Sequence, residues 1–361
     1  MRIAIVALSS EGAMGHYLDC LASGLAPLAE VSVHCPQHTQ LSLLSRQSGP
    51  RVRLFETGAS KAQALARLLS VSSFHCVLAG ILNDRPEIVH LLSGEGYPWA
   101  LLLARNLHHH GIPLVTTVHD PRPHSRDVWG LLGSISRRFV LERSCCVHVH
   151  SRGQVGDLAS TGVESSQIRV IPLGSFHELF PRVEPSPDRA RVVLFWGRIE
   201  HYKGIDTFVR AAGLLDGHHI RFVIAGAGRI ARSVAQAISG DQDAFELHNR
   251  YLTNAEIGQL LARSRVCVLP YRDATQSAIP LIAAWHGLRV VATSVGAFRE
   301  DIPAIGGILV PPENPPELAR AIVQALSGDP PRFPEDRTFR ALAPRFLEVY
   351  TQCAHEISSS W

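Results

Sequence analysis

The sequence predicts an α/β protein with two Rossmann-like domains, each built on a parallel sheet. Short apolar runs alternate with amphipathic helical patterns along most of the chain, which is typical of doubly wound sheets with right-handed crossovers. At 361 residues the chain is long for one hydrophobic core. A Pro-rich, charged stretch between two strand patterns is typical of a linker. We therefore predict domains at 1–180 and 191–338, a linker at 181–190, and a closing helix at 339–361.

The composition is that of an ordinary globular protein, with 46% hydrophobic and 19% charged residues. The net charge of +3 is mildly basic and excludes no partner by itself, and we predict no nucleic-acid partner. Seven cysteines without a C-x2-C spacing indicate reduced thiols and a cytoplasmic location. No apolar run approaches the ~18 residues of a membrane span. The opening MRIAIVALSS is interpreted as a first strand and not as a signal peptide.

In the first half, the apolar runs have the length of buried strands, and helical periodicity fills the gaps between them. The basic segment Val128–Cys145 combines an apolar stripe with Arg137, Arg138 and Arg143. It is interpreted as a helix packed on its domain, with peripheral contact to the cytoplasmic membrane face as the alternative. The strands are predicted at Ile3–Leu8, Val31–His34, Val52–Phe55, Cys76–Ala79, Ile88–Leu91, Leu114–Val118, Cys146–His150 and Ile168–Pro172, and the helices at Tyr17–Leu28, Lys61–Leu69, Trp99–His110 and Val128–Cys145.

Gly12 and Gly15 fall on the turn between the first strand and the first helix, followed by His16. A helix amino end in this position is suited to an anion. The spacing is not G-x-G-x-x-G, so a turn that only reverses the chain remains an equal alternative. We keep Gly12, Gly15 and His16 as candidate site residues.

His119 and Asp120 close the strand pattern PLVTTV. A polar pair at the carboxyl end of a buried strand lies where α/β sheets bind ligands. An imidazole can donate or accept a hydrogen bond near neutral pH. Both residues are therefore candidates, although most of the 19 histidines are expected to be core or surface residues.

The second half repeats the alternation of strands and helices. Thr253, followed by Glu256, predicts a capped helix start near Asn254. Strands are predicted at Val192–Trp196, Arg221–Ala225, Phe245–His248, Val266–Leu269 and Val290–Thr293, with helices starting near Ile205, Ile230, Asn254, Ile279 and Pro316 and a last one at Phe339–Ile357.

Arg198 and Lys203 follow the first strand of this half, between Gly197 and Gly204. Two cations at the carboxyl end of a strand fit a diphosphate, since guanidinium offers a planar fork and ammonium a point charge. They would also stabilise that diphosphate as a leaving group. The alternative from spacing alone is a solvated loop with two surface cations.

Glycines at the end of the next strand, Gly226 and Gly228, indicate a close approach of the backbone to a ligand. A nucleotide base or ribose fits this place. The nucleotide-binding candidates are Gly226, Gly228, Arg250 and Tyr251.

The string G-R-x4-K-G from Gly197 to Gly204 resembles the donor-diphosphate motif of retaining family-4 glycosyltransferases, the glycosyl transferases group 1. VTTVHD, the segment that ends at Gly174, FVIAGAG and LARSRVCVLPY resemble further blocks of that family in its order. The resemblance implies the GT-B fold, with an interdomain cleft and a last helix that crosses back to the first domain. It places Gly15 near the donor phosphate and His119 beside the transferred sugar.

The same resemblance implies transfer of a hexosyl group, with retention, from a nucleotide-diphosphate sugar to a hydroxyl acceptor. The acceptor would be a glycan, a lipid-linked saccharide or a small molecule, in a process such as polysaccharide biosynthesis. The catalytic residues that it implies are His119, Arg198 and Lys203.

The segment DATQSAIPLIAAWHG departs from the family pattern E-x7-E. Aligning Pro280 with the proline of that pattern puts Thr275 and Ala283 where the carboxylates stand. ATQSA resembles a divergent branch of the family, and Thr275, Gln276 and Ser277 can offer neutral hydrogen bonds to sugar and phosphate. Two alternatives stay open, a silent sugar-nucleotide-binding protein and a non-transferring GT-B enzyme such as a sugar-nucleotide epimerase.

No D-x-D directly follows an apolar strand, and no His/Asp cluster has metal-ligand spacing. We therefore predict no metal and no cofactor, and expect Arg198 and Lys203 to neutralise the departing diphosphate.

Overall fold

The structure is a computed structural model that describes residues 1–10, 13–39, 41, 49–56, 70–121, 128–186, 189 and 191–358. The chain forms two compact units, Met1–Gly174 with Asp336–Trp361, and Ser175–Glu335. The first change of unit lies at Gly174, where the sequence placed a boundary at 180. Each unit contains one parallel sheet, so the predicted α/β class with two Rossmann-like units is confirmed.

The sheet of the first unit has the strand order β3-β2-β1-β4-β5-β6-β7. Its central strands are buried on both faces, as expected for a parallel sheet covered by helices on each side. The elements are β1 (Arg2–Ala7), α1 (Ala13–Leu25), β2 (Glu30–Pro36), β3 (Arg51–Phe55), α2 (Val71–Asn83), β4 (Ile88–Ser93), α3 (Pro98–His109), β5 (Leu114–Thr117), α4 (Val128–Glu142), β6 (Cys146–Val149), α5 (Arg152–Ala159) and β7 (Ile168–Val170).

The sheet of the second unit has the order β10-β9-β8-β11-β12-β13. β8 lies inside this sheet between β9 and β11, so its carboxyl end is flanked by the loops that follow two neighbouring strands. The elements are β8 (Val192–Trp196), α6 (Ile205–Gly213), β9 (Arg221–Ala225), α7 (Arg232–Gly240), β10 (Phe245–His248), α8 (Asn254–Arg263), β11 (Val266–Leu269), α9 (Ile279–Trp285), β12 (Arg289–Thr293), α10 (Phe298–Ala304), β13 (Ile308–Val310) and α11 (Pro315–Ser327).

The last helix, α12 (Phe339–Ser358), belongs to the first unit and packs on α1. The two helices approach so closely that a Cβ at Gly24 would lie 2.8 Å from the carbonyl oxygen of Phe339. The Phe339 ring also meets the edge of the Tyr17 ring at 5.1 Å. A helix from the end of the chain therefore completes the core of the first unit.

The strand predicted at Cys76–Ala79 is wrong, because these residues lie inside α2. Phe74, Val77, Leu78 and Ile81 are buried at helical spacing, and a short apolar run within that pattern cannot be told from a strand by its length alone. The helix predicted at Lys61–Leu69 lies outside the described residues. The sequence reading missed α5, α10 and β13.

In the described part of the chain, no helix combines the length and the apolar character needed to cross a membrane. The basic segment between Val128 and Cys145 forms α4, where Arg138 pairs with Glu142 at 2.8 Å. Arg143 stacks on the Phe139 ring at 3.6 Å.

Candidate functional site

The backbone at the carboxyl ends of β8 and β9 requires a glycine after each strand. Gly197 has φ +138° and Gly226, at the end of β9, has φ +146°. A Cβ at Gly226 would overlap the carbonyl oxygen of Gly197. Ile199 then donates its N–H to the Ala227 carbonyl at 2.9 Å, so the segments that follow β8 and β9 stay paired beyond the sheet. This contact fixes the backbone from which Arg198 projects.

The two predicted cations occupy different environments. Arg198 is 64% exposed and pairs with Glu200 at 2.9 Å. Lys203 is only 8% exposed and ends a short 3-10 turn, His201–Lys203, before Gly204 at φ +69°. The structure therefore supplies a solvent-facing guanidinium and a buried ammonium after the same strand.

The Lys203 ammonium is held by aromatic groups. Its Nζ donates to the Tyr271 hydroxyl at 2.7 Å, and it lies 4.1 Å from the centre of the Tyr271 ring and 5.3 Å from that of Tyr202. Burial lowers the pKa of Lys203 to about 8, and the charge of Arg198 adds to this while Glu200 opposes it. At neutral pH the Lys203 side chain is therefore protonated in most molecules of the protein.

Arg272, which the sequence reading missed, holds the turn that carries Lys203. Its Nη1 donates to the His201 carbonyl at 2.7 Å, and its backbone N–H donates to the Tyr202 carbonyl at 2.6 Å. The guanidinium also binds Asp206 at 2.5 Å and Glu313 at 2.8 Å. These carboxylates, Asp206 first, raise the pKa of Arg272. A single arginine outside any motif gives no signal in the sequence, so the role of Arg272 is visible only in the folded chain.

Ser277 links the loop between β11 and α9 to Lys203 through Tyr271. Its hydroxyl accepts the N–H of Ile279 at 3.3 Å, at the start of α9, and is hydrogen-bonded to the Tyr271 hydroxyl. Burial raises the pKa of Tyr271, so this phenol stays neutral.

The predicted loop residues Thr275 and Gln276 are half-buried. The Thr275 carbonyl accepts the N–H of Ala297 at 3.3 Å, which fixes the loop against the chain before α10. Ala283, the second position of the missing carboxylate pair, is fully buried in α9. That position offers a carboxylate no contact with water.

The nucleotide-binding candidates follow β9 and β10. Gly228 donates its N–H to the side chain of Asn249 at 3.1 Å, a contact that the sequence reading missed. Arg250 binds Glu256 at 2.5 Å, and Tyr251 is 80% exposed. The structure brings the Gly228 turn and the chain after β10 together, and it leaves the Tyr251 ring exposed.

In the first unit, α1 begins at Ala13, so Gly15 and His16 lie within the helix and not in the predicted turn before it. Gly12 lies outside the described residues. Gly15 is buried, and His16 is half-buried with its pKa lowered by desolvation, against the opposing charge of Asp19. The short spacing Gly-x-x-Gly favoured a turn. In the structure, however, the buried side of α1 already begins at Gly15, so the helix starts closer to β1 than predicted.

His119 follows β5 by two residues. Its Nε2 donates to the Leu92 carbonyl at 3.0 Å, so its Nδ1 is the acceptor for Nε2 of His150 at 3.2 Å. The side chain of Gln154 donates to the His119 carbonyl at 2.8 Å. Desolvation lowers the pKa of His119 to about 4, so the ring is neutral at pH 7. Asp120, also predicted, is exposed, and its carbonyl accepts from Arg137 at 2.7 Å.

A buried network that the sequence reading missed lies beside His119. Tyr350 of α12 contacts Nδ1 of His90 at 2.7 Å, and Nε2 of His90 contacts the Thr117 hydroxyl at 2.7 Å. The same hydroxyl contacts Nδ1 of His148 at 2.9 Å, while Nε2 of His148 donates to the Ile171 carbonyl at 2.9 Å. Because the Ile171 carbonyl can only accept, Nε2 of His148 is the donor at this end of the network. With neutral histidines, each hydrogen bond then has one direction, from the Tyr350 hydroxyl to the Ile171 carbonyl.

Comparison with known families matches each half of the chain. Residues 12–174 match the description "Glycosyl transferase 4-like domain". Residues 190–328 match the description "Glycosyl transferases group 1". The second match contains the turn with Arg198 and Lys203 and the loop with Thr275.

Curated relatives are similar over part of their length. A D-inositol 3-phosphate glycosyltransferase 1 of Catenulispora acidiphila is 27% identical over 279 residues, 67% of this chain and 63% of that protein. An alpha-D-kanosaminyltransferase of Streptomyces kanamyceticus is 30% identical over 148 residues, 40% of this chain and 38% of that protein. The alignments thus span less than two thirds of either relative.

Solved structures share the fold over the whole chain. A glycosyltransferase from Rickettsia africae has a TM-score of 0.72 at 16% identity and covers 98% of both chains. HepE from Anabaena, solved in complex with UDP, has a TM-score of 0.69 at 16% identity, with 100% of this chain and 99% of that one covered. At this identity the likeness establishes the GT-B fold alone.

Proposed function

From a chain that joins a glycosyl transferase 4-like domain to a glycosyl transferases group 1 domain, we propose a glycosyltransferase that uses a nucleotide-diphosphate sugar. It moves a hexosyl group to a hydroxyl acceptor with retention of configuration. The observation that carries the proposal is the pair Arg198 and Lys203 in the segment that follows β8. The acceptor is a glycan, a lipid-linked saccharide or a small molecule.

The chemistry asks for charge stabilisation at the diphosphate. The bond from the anomeric carbon to the diphosphate oxygen breaks, and a bond from the same carbon to the acceptor oxygen forms on the same face of the sugar, while the hydroxyl proton passes to the departing diphosphate. Negative charge develops on the departing diphosphate, and fixed cations stabilise it. Arg198 offers the fork and Lys203 the point charge, without a metal ion in our proposal. Transfer that persists in a chelator agrees with this arrangement.

The second unit holds the donor in this proposal. Gly226, Gly228, Arg250 and Tyr251 bind the nucleotide, and the loop Thr275–Ser277 replaces the missing carboxylates with neutral hydrogen bonds. In the first unit we assign Gly15 and His119 to the transfer step, with the neutral imidazole of His119 beside the transferred sugar and not acting as an acid. A cytoplasmic location, with peripheral membrane contact as the variant, completes the proposal.

The test is a panel of UDP-, ADP- and GDP-hexoses with saccharide and inositol phosphate acceptors. UDP-sugars come first because the HepE structure contains UDP. We expect nucleoside diphosphate release that depends on the acceptor, with a matching glycosylated product by mass spectrometry. Binding without turnover would instead indicate a silent binding protein, and an altered sugar still attached to its nucleotide would indicate an epimerase.

The loop itself separates a transferase from a degenerate site. Thr275→Val, Gln276→Leu and Ser277→Ala should each weaken nucleotide-sugar affinity by about 5- to 150-fold, the cost of about 1–3 kcal/mol for a buried group left unpaired. Ala283→Glu places a carboxylate at a fully buried position and should lower stability, unless the nucleotide's ribose hydroxyls bind it. Unchanged affinity in all four variants would contradict the role of this loop.

A further inference from the structure

Lys203 is the first donor in a short chain of hydrogen bonds. An ammonium has no acceptor, so the Tyr271 hydroxyl must accept from Nζ of Lys203. Ser277 is a second hydrogen-bonding neighbour of that hydroxyl, and this contact opposes the rise in the Tyr271 pKa that burial causes. Ser277 also accepts the N–H of Ile279 at the start of α9. The chain therefore runs from the buried cation to the loop that lacks the usual carboxylates.

Tyr271 is held in place by its surroundings. It is 1% exposed, and its ring lies 5.2 Å from that of Phe298. Its backbone carbonyl accepts from the Thr293 hydroxyl at 2.5 Å. Because packing fixes the ring, the hydroxyl is presented to Lys203 at one position.

The ammonium is held close to the turn after β8. A Cβ at Gly197 would lie 3.4 Å from Nζ of Lys203, so the charge faces the backbone that leads to Arg198. The charged groups that act on it are Arg198, which disfavours the ammonium, and Glu200, which favours it. The centres of the Tyr271 and Tyr202 rings lie 4.1 Å and 5.3 Å from it.

We propose that Tyr271 is a positioning residue of the donor site, whose hydroxyl orients the Lys203 ammonium and couples it to Ser277. The role in donor binding rests on the proposed function. The contact between Tyr271 and Lys203 is independent of the proposed function. Tyr271 acts through Lys203 and touches no substrate in this scheme.

The inference can be tested without turnover, because the chain contains two lysines, Lys61 and Lys203. Lys61 lies outside the described residues. In a Lys61→Arg background, lysine labelled with ¹³C at the ε-carbon gives a single NMR signal whose titration reports Lys203. We expect a pKa of about 8. In Tyr271→Phe, which keeps the ring and removes the acceptor of the charged form, it should fall by ~1 unit.

Two further variants make the test specific. Ser277→Ala removes the second link and should shift the Lys203 titration by less than Tyr271→Phe does. Tyr350→Phe removes a buried tyrosine hydroxyl of the first unit, bonded to His90, and should leave the titration unchanged. A Lys203 titration in Tyr271→Phe equal to that of the wild type would overturn the inference. If that variant does not fold, an unchanged titration in Ser277→Ala overturns the coupling.

The binding role has a separate readout. Affinity for the nucleoside diphosphate of the donor should fall as pH rises through the Lys203 pKa, and in Tyr271→Phe this fall should begin at a pH lower by the NMR shift. An NMR shift without a matching change in the binding profile overturns the positioning role. Absence of transfer in every donor and acceptor pair overturns the proposed function, while the NMR titration still decides the link between Tyr271 and Lys203.

Discussion

Arg272 binds Asp206 through Nη2 at 2.5 Å, and its neighbouring Nη1 binds the His201 carbonyl at 2.7 Å. One guanidinium thus joins the start of α6 to the turn that presents Lys203. Arg272→Ala should lower kcat/KM for the donor by about 10- to 100-fold, because the buried ammonium is misplaced. Arg320→Ala, which removes an exposed pair with Glu317 in the same unit, is the control and should retain the wild-type rate. Steady-state kinetics on both variants decides this, and equal rates would contradict the assignment.

The contact between Gly226 and Gly197 gives a second prediction. Gly226→Ala introduces a Cβ at positive φ against the Gly197 carbonyl, so the turn with Arg198 must shift. We expect a loss of stability of about 1–3 kcal/mol and weaker nucleotide binding. Gly213→Ala, at a helical position with open space, should be neutral or stabilising. Denaturant unfolding and calorimetric titration measure both, and a Gly226→Ala protein as stable as Gly213→Ala would refute the contact.

His119→Ala should reduce transfer far more than it reduces nucleoside diphosphate binding. The reason is its position in the first unit, whereas the cations assigned to the diphosphate lie in the second. His109→Ala, at an exposed site at the end of α3, is the matched control. Rates and calorimetry on the same preparations are required. An equal loss of rate and affinity would assign His119 a structural role through its bonds to Leu92 and His150.

The buried histidines predict acid sensitivity in the first unit. Burial lowers the pKa of His119 to about 4, that of His148 to about 3, and those of His90 and His150 well below 6.5. Each folded-state pKa lies below the unfolded value, so below about pH 6.5 the unfolded chain binds more protons and the free energy of unfolding falls. The slope is at most about 1.4 kcal/mol per pH unit for each histidine.

Hydrogen exchange followed by mass spectrometry at pH 7 and pH 5, corrected for intrinsic rates, measures this loss. Peptides from β4, β5 and β6 should lose protection at pH 5. Peptides from β8 and β9 should lose less, since the network of His90 and His148 belongs to the first unit. Equal losses in both sets would show that the network does not control the acid response.

The sequence predicted the alternating elements and the place of Arg198 and Lys203, because strand pattern, glycine and charge are local signals. It could not predict Tyr271 or Arg272 as partners of that turn, since both contacts join residues far apart in the chain. Sequence order also gave no sign that His90 and His148 meet at Thr117. The error at Cys76–Ala79 has the opposite origin, a short apolar run whose local pattern fits both a strand and a helix.

The most direct measurement for the central claim is turnover of the accepted donor by Arg198→Ala and Lys203→Ala. If each cation stabilises charge that develops on the diphosphate, kcat should fall by ~10²–10³ in each variant while the circular dichroism spectrum stays that of the wild type. In the wild type, kcat/KM should decline above about pH 8, as the Lys203 ammonium loses its proton. Rates near the wild-type value in both correctly folded variants would contradict the assignment of this turn to the donor diphosphate.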